Sequence, residues 1–203
     1  DLVAFASQPM FEKLKRLFPD LLLENKGLLM MNGYAGKPCP VRQASQSADL
    51  RIGYFGMADD DEHGYRNVEP LLRAMASAIE TGIPIRLCFY GSLRLSRINL
   101  KDFPFVEVNA SVAHAEVFDV MQGMHYLLIL HTDPASSDEV ITGKFFDYVK
   151  ARRPILCFSP ENTEAARLVK RWQLGEWLDS RSPERAMQAL STLRTRDYPA
   201  LLD

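Results

Sequence analysis

The side chains best suited to chemistry are concentrated in the segment DEVITGKFFDYVKARRPILCFSP, residues 138–160. Its middle reads as an apolar helix opening near Thr142, yet acids and a Thr-Gly-Lys turn crowd its start. The first backbone amides of a helix are unpaired and carry the positive end of its dipole. Gly143 has no side chain to hold a bulky anion away from them, and Lys144 adds a mobile cation. Such a set suits two linked phosphoryl groups. Asp147 follows about one turn later, where an ionised carboxylate can accept two hydrogen bonds from a ribose diol. Glu139 stands eight positions before Asp147, on the loop entering the helix. The same residues admit a purely structural reading, with Glu139 complementing the dipole and Asp147 and Lys144 forming a solvated face.

The elements that would position these groups follow from hydrophobic periodicity. RIGYFG (residues 51–56), IPIRLCFYG (83–91), FPFVEVNA (103–110), HYLLIL (125–130) and PILCFS (154–159) are short apolar runs. Between them lie segments of helical period, such as NVEPLLRAMASAIETG, whose Val68, Leu71, Leu72, Met75, Ala76 and Ile79 share one face. Further helices are predicted from about residue 115 to 122, over ENTEAARLVKRW with Asn162 or Thr163 as cap, and over SPERAMQALSTLR with Ser182 as cap and Pro183 in first position. Strands apolar throughout and alternating with helices predict a parallel sheet covered on both faces, a doubly wound α/β fold. Ligands collect beyond the carboxyl ends of such strands. The loops after Phe55, Tyr90, Val108, Leu130 and Phe158 are therefore the ones to inspect.

Composition narrows the function classes. With 47% hydrophobic and 25% charged residues among 203, the chain can bury a core. Its 24 basic residues against 26 acidic ones leave a net charge of -2, which supplies no field for nucleic acid or an anionic membrane. Any bound anion must be held locally. Cys39, Cys88 and Cys157 show no metal-ligand spacing and fit a reducing compartment. No run is long enough to span a bilayer. DDDEH, residues 59–63, reads as a solvated loop before it reads as a cation site, because the full ligand spacing is missing. His125 and His131 lack a third ligand, and Cys157 reads as a core residue. Trp172 and Trp177 are expected to seal a helix against the sheet. The amphipathic MFEKLKRLF is expected to pack on a neighbouring domain rather than on a membrane surface.

EVITGKFFDYVKARRPILCF resembles the donor-binding segment of GT-B glycosyltransferases of the retaining, nucleotide-sugar-using class (bacterial group 1, family 4-like). There two acids separated by seven residues precede a small helix and GRPVL or GKPIL; Glu139 and Asp147 take those places, with Asp for the usual second Glu. RIGYFG resembles the first strand of the C-terminal domain, with Gly56 at the phosphate-facing turn. YRNVEPLLRAM resembles the next segment, where a cation begins the helix and Arg66 stands. IRLCFYGS resembles the second strand and its Gly91 turn, VAHAEVFDVMQGMHYLLIL the segment whose His-containing loop borders the base, and GLLMMNGY the end of the hinge. The resemblance covers nearly the whole chain. Two departures stand out: Met57 replaces the usual Arg after the first-strand Gly, and Asp147 is one methylene short.

The resemblance implies a Rossmann-like parallel sheet, the C-terminal half of a GT-B fold. Residues 1–36 would be a remnant of the acceptor domain and hinge, 37–50 a linker and 51–203 the donor-binding domain, so the chain is expected to be a piece of a longer protein. The implied activity is transfer of a hexose from a nucleoside-diphosphate sugar, with retention, to a glycan, lipid-linked or polysaccharide acceptor. The piece alone would be inactive. Arg66, Lys144 and Glu139 would be catalytic, with Gly56, Gly91, Ser92, His114, Thr142, Gly143 and Asp147 holding the donor. No metal or other cofactor is expected. The implied partners are the nucleotide sugar and the missing N-terminal domain, in a bacterial cytoplasmic protein with room for peripheral contact at the inner face of the membrane. The alternative, left open by Met57 and Asp147, is a non-catalytic GT-B-like module that binds a nucleotide or a partner.

Overall fold

The computed structural model describes residues 2–44, 46–132, 138–196, 198 and 201. Along the chain these form β1 (Val3–Phe5), α1 (Gln8–Leu17), α2 (Leu23–Lys26), β2 (Gly27–Leu29), β3 (Leu50–Phe55), β4 (Ala58–Asp59) and α3 (Glu69–Glu80). There follow β5 (Ile85–Tyr90), β6 (Leu93–Arg94), β7 (Val106–Asn109), α4 (Val117–Gln122), β8 (Tyr126–Leu130) and α5 (Gly143–Lys150). The last are β9 (Ile155–Ser159), α6 (Glu164–Arg171), β10 (Gly175–Asp179) and α7 (Pro183–Thr192).

Six strands form one parallel sheet in the order β10-β9-β8-β3-β5-β7. Successive side chains of a strand point to opposite faces, and both faces are buried. Ile52, Tyr54, Leu128 and Leu156 pack with Leu71, Leu72 and Met75 of α3 and Leu190 of α7. Leu127, Ile129, Ile155 and Cys157 join Phe145 and Tyr148 of α5 and Val169 of α6 on the other face. This is the doubly wound arrangement that uninterrupted apolar strands require, and it confirms the predicted fold class. Of the two caps proposed for α6 it is Thr163 that accepts from the Ala166 amide, at 3.3 Å, and Ser182 caps α7.

One strand of the large sheet departs from expectation. GEWLD, residues 175–179, forms β10 at the sheet edge, and Trp177 lies on this strand, packed with the cluster that includes α6. Its Nε1 donates to the Ser159 carbonyl at 2.9 Å, and Lys170 Nζ lies 3.8 Å from its ring centroid. Between α6 and β10, Gln173 adopts φ 53, the left-handed conformation that closes a helix. Leu174 N then donates back to the Val169 carbonyl at 3.0 Å. A side chain meets a steric penalty in that conformation and glycine does not. Gln173→Gly is therefore expected to stabilise the chain by about 0.5–1 kcal/mol, read from the urea midpoint at constant m.

The first residues stand apart from the large sheet. β1 and β2 pair in parallel, and α1 is capped by Ser7, whose Oγ accepts from Met10 N at 3.3 Å. The stretch read as a linker is strapped down. Cys39 N donates to the Lys150 carbonyl at 2.8 Å, Gln122 Nε2 to the Pro40 carbonyl at 2.6 Å, and Arg153 Nη2 to the Arg42 carbonyl at 2.7 Å. Among the described residues no helix is long and apolar enough to cross a membrane.

Candidate functional site

Strand order reverses between β3 and β8: β5 and β7 lie to one side, β9 and β10 to the other. The carboxyl ends of β3 and β8 thus open the crevice where ligands of such sheets bind. The loop after Leu130, also read as ligand-facing, lies partly outside the described residues, at 133–137.

The turn after β3 forms the floor. Gly56 N donates to the Tyr90 carbonyl and Ala58 N to the Ser92 carbonyl, each at 3.0 Å, so this turn and the Gly91 turn are pressed together. A Cβ on Gly91 (φ 148) would collide with the Gly56 carbonyl oxygen, and one on Gly56 (φ 153) with Lys144 Nζ. Two glycines are needed because the two turns and the ammonium occupy space a methyl group would fill.

α5 delivers Lys144. Thr142 is its N-cap residue, with no side-chain capping bond. The Phe145 amide donates to the Thr142 carbonyl at 3.0 Å, while among the described residues the amides of Gly143 and Lys144 have no acceptor. Nothing lies within 4 Å of a Cβ built on Gly143, so space is open beside this residue at the helix start. Lys144 Nζ sits 4.3 Å from the Tyr54 ring centroid and 3.2 Å from its hydroxyl. The hydroxyl donates to the Met57 carbonyl at 2.6 Å and so turns a lone pair toward the ammonium. Burial, and secondarily the Arg66 guanidinium, lower the Lys144 pKa to about 8. Arg66 lies over the Tyr65 ring, 4.7 Å from its centroid. Contrary to the expected placement, it does not begin α3; the helix starts three residues later, at Glu69. Among the described residues neither Arg66 nor Lys144 has a carboxylate partner. Two cations repel each other near a helix start whose first amides are unpaired, an arrangement whose chemistry suits an anion.

The other sequence-selected residues are less tightly gathered. Asp147 is half-buried on α5, and its carboxylate makes no hydrogen bond or ion pair among the described residues. Ser92 and His114 are less enclosed, both being exposed. Glu139 is engaged by the N-terminal piece: its carboxylate meets Lys13 Nζ at 2.6 Å, and its carbonyl accepts from Ser7 Oγ at 2.7 Å. The adjoining Asp138 carboxyl and the Lys13 ammonium hold the Glu139 carboxyl below its ordinary range.

Sequence reasoning missed two residues. Tyr54 is fully buried and sets the Lys144 ammonium; the signal was a hydroxyl inside an otherwise apolar strand, which must find a partner. The second is Asp60, which the solvated-loop reading of DDDEH misplaced. It is 1% exposed and accepts from the amides of Ser96, Arg97 and Ile98 and from Ser96 Oγ. Burial alone would raise its pKa, but those amides overcome it and hold the pKa at about 2. Asp60 clamps the loop after β6, and among the described residues no cluster could hold a metal ion. A depressed carboxyl contributes stability that is complete above its unfolded pKa and is lost as pH falls through the folded one. Unfolding free energy should therefore drop by about 2 kcal/mol between pH 4 and pH 2 on account of this group. Asp60→Asn should remove that part of the acid sensitivity and cost about 2–3 kcal/mol at neutral pH, measured by urea unfolding.

No protein-family model matches the chain, and no curated protein matches it by sequence. Solved structures do match. WaaG, a glycosyltransferase involved in lipopolysaccharide biosynthesis, superposes with TM-score 0.64 at 13% identity over 98% of this chain and 55% of its own. A glycosyltransferase from Rickettsia africae gives 0.65 at 9% identity over 100% of this chain and 55% of its own. A point mutant of S. aureus TarM, in complex with fondaparinux, alpha-GlcNAc-glycerol and UDP, gives 0.64 at 10% identity over 98% of this chain and 38% of its own. The chain spans about half the length of these similar proteins, or less. At such identities the likeness is one of fold alone, that of a Rossmann-like domain as it occurs in GT-B structures.

Proposed function

We propose that the chain is the nucleotide-sugar-binding part of a retaining hexosyltransferase, and that residues 1–36 belong to its acceptor domain and hinge. One observation carries this reading: a Lys144 ammonium with a depressed pKa, beside Arg66 and the free amides of Gly143 and Lys144, with no acid opposite among the described residues. A nucleoside diphosphate leaving an anomeric carbon gains negative charge as the bond breaks. Fixed donors aimed at that charge act without reorganising, and each is typically worth about 3 kcal/mol. Lys144, Arg66 and the helix amides would hold the two phosphoryl groups, with Gly56 and Gly91 making room. In a retaining reaction that runs on one face of the sugar, the leaving phosphate takes the proton of the attacking hydroxyl, so neither a protein nucleophile nor a metal is needed. Glu139 would position the sugar hydroxyls, Asp147 the ribose, and Ser92 and His114 the base. The acceptor would be a glycan, lipid-linked or polysaccharide hydroxyl in a bacterial cytoplasm, with the remainder of the acceptor domain completing the cleft. Because Met57 offers no charge, Lys144 and Arg66 carry the load alone.

UDP is the probe to use, since the similar TarM structure is a complex with it. Titrated to about 100 times its dissociation constant, it should raise the unfolding free energy by about 2.7 kcal/mol, with uridine giving much less. Equal stabilisation by uridine and UDP would refute a phosphate role for this helix start.

A further inference from the structure

The far end of the same sheet holds a cavity of about 370 Å³. It lies where β3, β8 and β9 begin, at Leu50, Tyr126 and the Arg153-Pro154 pair. β3 alone separates it from Gly56 by about 20 Å at some 3.3 Å per residue. Arg42, Arg152, Arg153, Arg194 and Arg196 line it, and no carboxylate does among the described residues. Arg42 is paired with Asp119 at 2.6 Å, Arg196 with Glu176 at 3.6 Å, and Arg152 is also engaged.

Arg153 is different. It is 7% exposed, and its Nη2 is used on the Arg42 carbonyl at 2.7 Å, yet its Nε is buried with no hydrogen-bond partner. A buried guanidinium without a carboxylate costs several kcal/mol unless its remaining donors are met. Burial accordingly pushes its pKa down. Arg194 is exposed at the rim, and among the described residues it forms no ion pair. The remaining wall is largely apolar, with Leu50, Leu193 and Leu201 beside the Tyr126 ring. Pockets of a few hundred Å³ that pair an apolar wall with a few converging polar groups are the usual form of a small-molecule site.

We infer that this cavity binds an organic phosphate monoester, its dianion held by Arg153 and Arg194 and its apolar body lying against Leu50, Leu193 and Tyr126. Guanidinium groups match the oxygens of such an anion in pairs, and the leucines account for a preference over the bare ion. The site is independent of the Lys144 crevice and of the function proposed for it.

Calorimetric titration of the 203-residue chain with phenyl phosphate tests this, with inorganic phosphate and phenol as comparison arms. Phenyl phosphate should bind more tightly than either. Arg194→Ala, an exposed change that leaves the core intact, should weaken it about tenfold. Arg153→Met should abolish it, and Lys144→Met should leave it unchanged. Should Arg153→Met fail to fold, the Arg194→Ala result decides alone. No binding at millimolar phenyl phosphate, full affinity in Arg194→Ala, or loss in Lys144→Met would each overturn the inference.

Discussion

Lys144→Met will weaken UDP binding about a hundredfold and will also make the unliganded chain more stable by about 2 kcal/mol at pH 7. The two effects have opposite signs because one charge causes both. Two charge-assisted hydrogen bonds to a diphosphate account for the loss of affinity. The gain comes from desolvation: lowering the lysine pKa from 10.5 to about 8 costs the folded state about 3 kcal/mol wherever the ammonium is charged. The Tyr54 face offsets about 1 kcal/mol of that. The sign with pH is fixed by linkage. The penalty is complete below pH 8 and disappears as pH rises to 10.5, so wild-type stability should climb through that interval while the variant stays level. Methionine keeps the stem of the lysine, which separates charge from packing. Urea unfolding at pH 7 and pH 10, with calorimetry on UDP, reads both effects; a less stable variant would mean that the ammonium is adequately solvated.

Gly91→Ala should be the most damaging single methyl group at this site, and Gly56→Ala, at the turn it touches, should be far milder toward the fold. At Gly91 the new Cβ collides with the Gly56 carbonyl oxygen, a backbone atom held by the Tyr90 and Ser92 pairing. Relief requires separating two turns that cap adjacent strands, at a cost of about 4 kcal/mol including the strain at φ 148. At Gly56 (φ 153) the backbone strain is similar, but the collision is with the tip of Lys144, which can swing away, so only the strain remains. That variant should keep most of its stability yet lose diphosphate affinity as severely as Lys144→Met. Thermal unfolding with and without UDP separates the two, and similar profiles for both variants would show that the turns do not bear on each other as described.

What could be read from the sequence follows from how far apart in the chain the partners lie. Thr142, Gly143 and Lys144 are adjacent, so helix-start chemistry announced them directly. The strands of the sheet declared themselves through unbroken apolar runs, except β10, where two acids and an edge position with one fully buried residue in five hid the pattern. Asp60 was not legible because the amides it holds lie 36 to 38 residues away. Tyr54 and Lys144 are 90 residues apart, and Lys13 and Glu139 are 126 apart. Arg66 was found by its position in a family pattern, while the start of α3 was set locally by Asn67, whose side chain accepts from Glu69 N at 2.9 Å.

The three thiols are not equally reachable, and this gives an experimental handle. Cys88 and Cys157 are buried in the sheet with pKa values pushed up to about 12, so neither offers thiolate near neutrality. Cys39 is partly accessible on the strap that crosses the end of α5. A maleimide dye should therefore attach at this single position in the native chain, placing a reporter on the segment that joins the N-terminal piece to the sheet without any engineered cysteine.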